Sequence, residues 1–235
     1  MTRKIRARST DPDIAEIAAT IGDPVRAAIL LALMDGDELP ASELAYRAGA
    51  SAQAASAHLA RLVDRGLLQT RAAGRQRLFR VASAQVAHAI EALGSIAKPV
   101  PIVSLSQSES MQRLRQARSC YDHLAGRLGV QITERFVERR MLRASQSAFE
   151  LTRHGERFFV ELGIDVDAIR NSRRAFARAC TDWTERRPHL AGSLGASFLS
   201  FLIASKWVAR HEGNRYLTLT EHGRSQLASR LKLSC

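Results

Sequence analysis

Two sets of residues with ligand or nucleophile chemistry recur in the second half of this sequence. They are Cys120, Asp122 and His123, then Cys180, Asp182 and His189. Thiolate, imidazole and carboxylate together suit a zinc-like or thiophilic cation. Two thiols alone support a reversible disulfide, provided their Cα atoms come within about 7 Å. Plain packing is the third outcome, because a free cysteine often serves as a small buried hydrophobe. Arg118 and Arg178, each two residues before a cysteine, favour the reactive thiolate.

A different chemistry sits at 51–62. Ser51 is placed to cap a helix by accepting from a first-turn amide. Ala55, Leu59, Leu62 and Val63 follow at helical spacing and form its buried stripe. The other face carries Gln53, Ser56, Ala57 and Arg61, short or hydrogen-bonding side chains that let a helix approach base edges in a major groove. His58 is balanced between reaching a phosphate and packing inside. Downstream, Arg71, Arg75 and Arg77 lie on a stretch alternating about Gly74, and phosphate contacts are expected of some of them.

The elements that must position these residues follow in chain order. A helix is expected over 11–21, with Asp11 as cap and Pro12 in its first turn. A second starts at Asp23-Pro24 and stops at Gly36. Glu43–Gly49 reads as a short helix closing in a turn, so that with 51–62 it makes a helix-turn-helix. Residues 66–81 alternate as a β-hairpin, and 84–96 carry Val86, Ile90, Leu93 and Ile96 as an apolar stripe. Helix-turn-helix followed by a basic hairpin is the pattern of a winged helix.

Four stretches carry a resemblance to a known family: Ile21-Gly-Asp-Pro-Val-Arg26, Ser42-Glu43-Leu44-Ala45, Ser51-x4-Ser56-x-His58-Leu59-x2-Leu62 and Arg65-Gly66-Leu67. Over about residues 11–97 the chain resembles the ArsR/SmtB family. That resemblance implies a dimeric winged-helix repressor, many of whose relatives leave DNA when an inducer binds. It also implies that the first helix packs across the dimer with the helix after the wing. Two metal sites common in compact members are missing here. The helix before the recognition helix, Glu43-Leu-Ala-Tyr-Arg-Ala, has no cysteine, and His88 has only Glu91 a turn away.

Beyond the family match, residues 98–110 interrupt all periodicity with two prolines and four serines and read as a linker. The region 111–235 contains a repeat, with copies over about 111–166 and 167–235. Ala117-Arg-Ser-Cys120 returns as Ala177-Arg-Ala-Cys180, His123-Leu-Ala-Gly126 as His189-Leu-Ala-Gly192, and Leu151-Thr-Arg-His-Gly155 as Leu219-Thr-Glu-His-Gly223. Leu44-Ala-x-x-Ala-Gly49 matches Leu124-Ala-x-x-Leu-Gly129 and Leu190-Ala-x-x-Leu-Gly195. This suggests two degenerate winged-helix units lacking six residues of the reading head and related by a pseudo-twofold. Tyr121, Trp183, Phe198, Phe201 and Trp207 could line a pocket for an organic ligand, although aromatics at helical spacing are more typical of core. The expected fold class is mostly α with short β-hairpins (α+β).

The charge, +12 over 235 residues, suits an anionic partner. Only Lys4, Lys98, Lys206 and Lys232 are lysines, so an arginine-biased composition explains the charge equally well. Residues 1–10 form a basic arm. No apolar run approaches the ~20 residues of a membrane span, and the N-terminus lacks a secretory signal's apolar segment; a cytoplasmic location is expected. Cys120, Cys180 and Cys235 are too few for a disulfide framework. No Gly-rich phosphate loop, Gly-x-Ser-x-Gly elbow or His-Glu-x-x-His is found, so no enzyme is expected. The chain reads as a transcriptional regulator, a repressor released by a signal sensed in its C-terminal domain, binding double-stranded DNA as a homodimer. An architectural DNA binder without an effector is the alternative. The effector class stays open between a metal ion, a thiol reagent and a small molecule.

Overall fold

The computed structural model describes residues 12–98, 104–211 and 214–234. The basic arm, the Asp11 cap, Pro99 and Pro101 of the linker, and Cys235 lie outside them. By contacts the chain divides into two compact units, one of residues up to 32 with 38–82, the other of 33–37 with 83 onwards.

The first unit begins with α1 (Ile14–Ile21), which Asp13 caps by accepting from the Glu16 amide. The helix therefore starts two residues later than the 11–21 expectation. Next come α2 (Pro24–Ala32), β1 (Leu39–Pro40), α3 (Ala41–Arg47) and α4 (Ala52–Asp64). The strands β2 (Leu68–Ala73) and β3 (Gln76–Val81) pair antiparallel around Gly74-Arg75, and β1 joins the other edge of β3. Gly74 sits at φ +60° as the first central residue of a two-residue turn, a position suited to glycine. Ile29, Leu30, Leu44, Ala55, Leu59, Leu62 and Phe79 are buried in this unit. It is a winged helix, as the periodicity predicted.

The second unit opens with α5 (Ala84–Ile96), capped by Ser83. Then follows α6 (Leu105–Gln116), so the expected linker is helical from Leu105 onward. Its serine-rich start carries no apolar period, which hid it from sequence reasoning. Two passes of one element order complete the unit. The first is β4 (Arg118–Cys120), β5 (His123–Ala125), α7 (Gly126–Glu138), β6 (Leu142–Ala144), β7 (Phe149–Leu151) and α8 (Arg153–Glu161), followed by the short α9 (Val166–Arg170). The second is β8 (Arg178–Thr181), β9 (Pro188–Ala191), α10 (Gly192–Ala204), β10 (Val208–Arg210), β11 (Leu217–Leu219) and α11 (Glu221–Leu231).

One expectation about the repeat is corrected. The helices α4, α7 and α10 are each 13 residues long, so the reading-head helix is not what the copies lack. What they lack is the α3 helix and its turn, replaced by a strand pair that runs directly into the helix. The left-handed glycines Gly126 (φ +76°) and Gly192 (φ +81°) make that direct entry; a Cβ on Gly192 would lie 2.4 Å from the Ala175 carbonyl oxygen. Gly129 and Gly195, paired in sequence with the turn glycine Gly49, lie inside α7 and α10. A Cβ on either would lie within 2.6 Å of the Leu124 or Leu190 carbonyl oxygen, so a bare backbone is what lets each helix start lie on its strand.

The core of this unit is aromatic. Phe136, Phe158, Phe159 and Phe198 meet edge to face with centroids 5.3–5.7 Å apart, and Trp207 extends the cluster through Phe201. Such pairs contribute about 0.5–1.5 kcal/mol each beyond the area they bury. Of the candidate aromatics Phe198, Phe201 and Trp207 are therefore core, while Tyr121 and Trp183 are half-buried outside this cluster.

Candidate functional site

In the winged helix, α4 presents one polar face. Gln53, Ser56, Ala57 and Arg61 are exposed, while Ala55, Leu59 and Leu62 are buried behind them. Ser51 is committed locally, its Oγ accepting from the Ala54 amide at 3.2 Å. The Ser56 hydroxyl donates to the Ala52 carbonyl at 2.8 Å yet remains at the surface. Small residues on this face leave the backbone open to close approach.

The remaining basic candidates sort by what already occupies them. His58 is half-buried, its Nδ1 3.4 Å from the Arg26 guanidinium and 3.7 Å from Asp23, so its ring belongs to the α2–α4 junction. Arg71 donates through Nε to Glu38 at 2.7 Å, and Arg80 lies beside the same carboxylate. Arg75 and Arg77, at the wing tip, are exposed and have no polar partner among the described residues; the same holds for Gln53 and Arg61. Charge at the wing tip is therefore available to phosphate, whereas charge at its base is already paired.

The second unit gathers the repeated chemistry. Cys120 faces His123 across the β4–β5 pair, and Cys180 faces His189 across β8–β9, the same register in both copies. The two strand pairs meet, and all four ligand atoms lie within 4.8 Å of one another. Cys120 Sγ and Cys180 Sγ are 3.9 Å apart, and the imidazoles stack at 5.1 Å. All four side chains are 3% exposed or less. Four short strands of three or four residues leave no periodicity, so sequence alone gave the set but not its convergence.

The two aspartates do not join them, which corrects their place in the set. Asp122 lies 3.2 Å from His123 Nδ1 and pairs with Arg174 at 2.6 Å. Asp182 receives Arg118 at 2.8 Å, the Gly126 amide at 2.7 Å, and both the amide and hydroxyl of Thr184. Arg118 is itself fully buried, its guanidinium 4.7 Å from the centre of the Trp183 ring. That ion pair went unread in the sequence because it joins Arg118 of one copy to Asp182 of the other, and the mirror-image pair is absent: Arg178 instead contacts His88. Neither arginine therefore serves the cysteines as expected.

The electrostatics follow from this packing. Burial works against ionised Asp182, but Arg118 and the converging donors outweigh it and hold its carboxyl at about 2. Burial pushes the Cys120 thiol well up, with Cys180 adding to it. The Cys120 hydrogen bond, seconded by His123 and His189 and opposed by burial, holds Cys180 low. Burial depresses His189, while at His123 burial is outweighed by Asp122 and Cys180, which raise it.

Comparison with known proteins fits this geometry. Residues 21–71, which span α2 to the first half of the wing, match a helix-turn-helix domain family. A Bacillus subtilis (strain 168) protein, YdfF, described as an uncharacterized HTH-type transcriptional regulator, is 43% identical over 214 residues, covering 91% of this chain and 95% of its own. The chain belongs to the HTH-type transcriptional regulators. The similarity to this relative extends over both units. Similar solved structures include reduced HlyU from Vibrio cholerae N16961 (30% identical, TM-score 0.34, 37% of this chain and 90% of that one) and the transcriptional repressor BigR from Xylella fastidiosa (28%, TM-score 0.34, 37% and 88%). At those scores the winged-helix assignment stands on this regulator's own strands and helices. Among the described residues, no helix is long and apolar enough to cross a membrane.

Proposed function

We propose that this transcriptional regulator binds double-stranded DNA as a homodimer and represses until a signal reaches its C-terminal unit. The observation that carries the DNA-binding geometry is the exposed, small and polar face of α4, unpaired at Gln53 and Arg61, on a helix whose other face is buried. Dimerisation is supported by apolar side chains left at the surface: Ile14 on α1 and Leu93 and Ile96 on α5. In a symmetric dimer, two recognition helices read half-sites about one helical turn apart.

Signal reception is supported by how α5 meets the cysteine cluster within the second unit. The helix α5 begins three residues after the wing strand ends. Its Glu91 accepts from Arg215 at 2.7 Å, and the Arg215 carbonyl accepts the amide of Ser119, next to Cys120. Ala87, His88 and Glu91 line the same small cleft as Cys120 and Cys180. A change at the cysteines therefore has a short physical path to the helix that continues the wing.

Two binding measurements test the DNA half. Gln53→Ala should cost about 1–3 kcal/mol on the cognate site and far less on random DNA. An equal loss on both would move Gln53 from base reading to backbone positioning. Arg75→Ala and Arg77→Ala should weaken binding to every sequence and each flatten the log-affinity against log-salt slope by about one. An unchanged slope would mean the wing tip points to solvent.

A further inference from the structure

Four side chains that can ligate a metal, from four different strands, converge in a fully buried place. Cys120, His123, Cys180 and His189 put one ligand atom each within 4.8 Å of all the others. A tetrahedral zinc-type ion with metal–sulfur bonds of about 2.3 Å holds its two sulfurs roughly 3.8 Å apart, and the Cys120–Cys180 separation is 3.9 Å. The imidazoles supply the second observation. Among the described residues, His123 Nε2 and both ring nitrogens of His189 are buried without a hydrogen-bond partner. Buried ring nitrogens are normally satisfied, and these belong to the rings that stand stacked beside the two sulfurs.

We infer that Cys120, His123, Cys180 and His189 form a tetrahedral site for one zinc-like cation, fastening the two repeats of the C-terminal unit to each other. Each copy contributes one sulfur and one nitrogen from matching register positions, so the ion lies on the axis relating them. Two thiolates and two neutral imidazoles are a borderline-to-soft donor set. That set selects zinc, cadmium or cobalt over magnesium and calcium, which require oxygen ligands. Both cysteines bind as thiolates and both imidazoles as neutral rings, so any proton they carry leaves as the ion enters and the filled site is neutral. Asp122 completes the arrangement: it holds His123 by Nδ1 and leaves Nε2 for the metal, the outer carboxylate that ligating histidines commonly have. A Cys120–Cys180 disulfide would need an outside oxidant and would leave both histidines without a role.

The inference stands apart from the repressor reading, since its test follows metal and not operator DNA. Reduced full-length protein, stripped with a chelator, is titrated with Co2+ and then with Zn2+. The expected result is one Co2+ per chain, with the intense visible absorption of tetrahedral cobalt and a thiolate charge-transfer band, both abolished by Zn2+. Cys180→Ser and His189→Gln should lose at least a hundredfold in affinity, with circular dichroism reporting whether each remains folded. Asp122→Asn should lose about ten- to a hundredfold while keeping the tetrahedral spectrum. Cys235→Ser should bind like the parent, and this variant keeps the test decisive if the core variants unfold. No uptake by the reduced parent, a weak octahedral spectrum, loss of the site in Cys235→Ser, or a parent whose only response is a Cys120–Cys180 disulfide on oxidation would each overturn the inference.

Discussion

Asp182→Asn is expected to destabilise the C-terminal unit by about 3–5 kcal/mol, the cost of breaking a buried ion pair from one side. The pair is fully enclosed, with both side chains at zero exposure. An asparagine there turns an amide NH2 group towards the Arg118 guanidinium and the Gly126 amide, setting donors against donors. Arg118→Met should cost less, because the remaining carboxylate still accepts from Gly126, Thr184 and Glu185. Urea unfolding in the presence of a chelator, followed by near-ultraviolet circular dichroism, separates the two. If Arg118→Met is the more damaging, the carboxylate is not the centre of the network. The pH dependence has a fixed sign. Asp182 is held at about 2, below the unfolded carboxyl near ~3.9. Its contribution is therefore complete above about pH 4 and is lost as pH falls towards 2. The parent protein should lose stability through that window more steeply than Asp182→Asn, which has no carboxylate left to protonate.

This pair also shows where the sequence stops being readable. In the DNA-binding unit, helices with a 3.6-residue stripe and a hairpin of two six-residue strands announce themselves. There α3, α4, β2 and β3 stand close to where the pattern put them, whereas α2 ends at Ala32 and not at Gly36 and the two-residue β1 carried no signal. In the C-terminal unit the matched words Ala-Arg-x-Cys and His-Leu-Ala-Gly reveal a duplication, but strands of three or four residues carry no period. Only the paired register shows Cys120 facing His123 and Cys180 facing His189. The aspartates carry the same signal in the sequence as the cysteines, yet the structure gives Asp122 and Asp182 other partners, one behind a histidine and one on a buried arginine. Which member of a set is ligand and which is support depends on loops of different length. The Cys120–His123 link is a two-residue turn, with Tyr121 at φ 61°, while the Cys180–His189 link has room to bring Asp182 back towards the other copy.

Gly223→Ala and Gly94→Ala, the same substitution in two helices of one unit, are expected to change stability in opposite directions. Alanine is normally favoured over glycine inside a helix by up to about 1 kcal/mol, and Gly94 in α5 has nothing nearer to a new Cβ than the Trp183 Cβ at 4.0 Å. Gly94→Ala should therefore be neutral or stabilising within that amount. At Gly223 a Cβ would lie 2.0 Å from the Trp207 carbonyl oxygen and under 3 Å from two more backbone atoms of that residue, none of which is a flexible side-chain end. The close approach has a cause in the repeated Leu-Thr-x-His-Gly. Thr220 caps α11 by accepting from the Gly223 amide at 2.9 Å, and its own hydroxyl donates to Lys206 and Trp207 carbonyls at 2.7 and 3.1 Å. The threonine thus staples the start of α11 onto the turn that ends α10, and the glycine three residues on is drawn over the same carbonyl. Thr152 and Gly155 repeat this over Met141, where a Cβ would lie 2.2 Å from the carbonyl oxygen. Relief requires moving α11 off Trp207, which is core, so Gly223→Ala should cost about 3 kcal/mol, the upper end of an overpacked interior. Gly155→Ala should behave the same way at α8. Chemical denaturation of the three variants decides the matter: similar small shifts for all would mean that α8 and α11 move aside freely and that the repeated glycine serves no packing purpose.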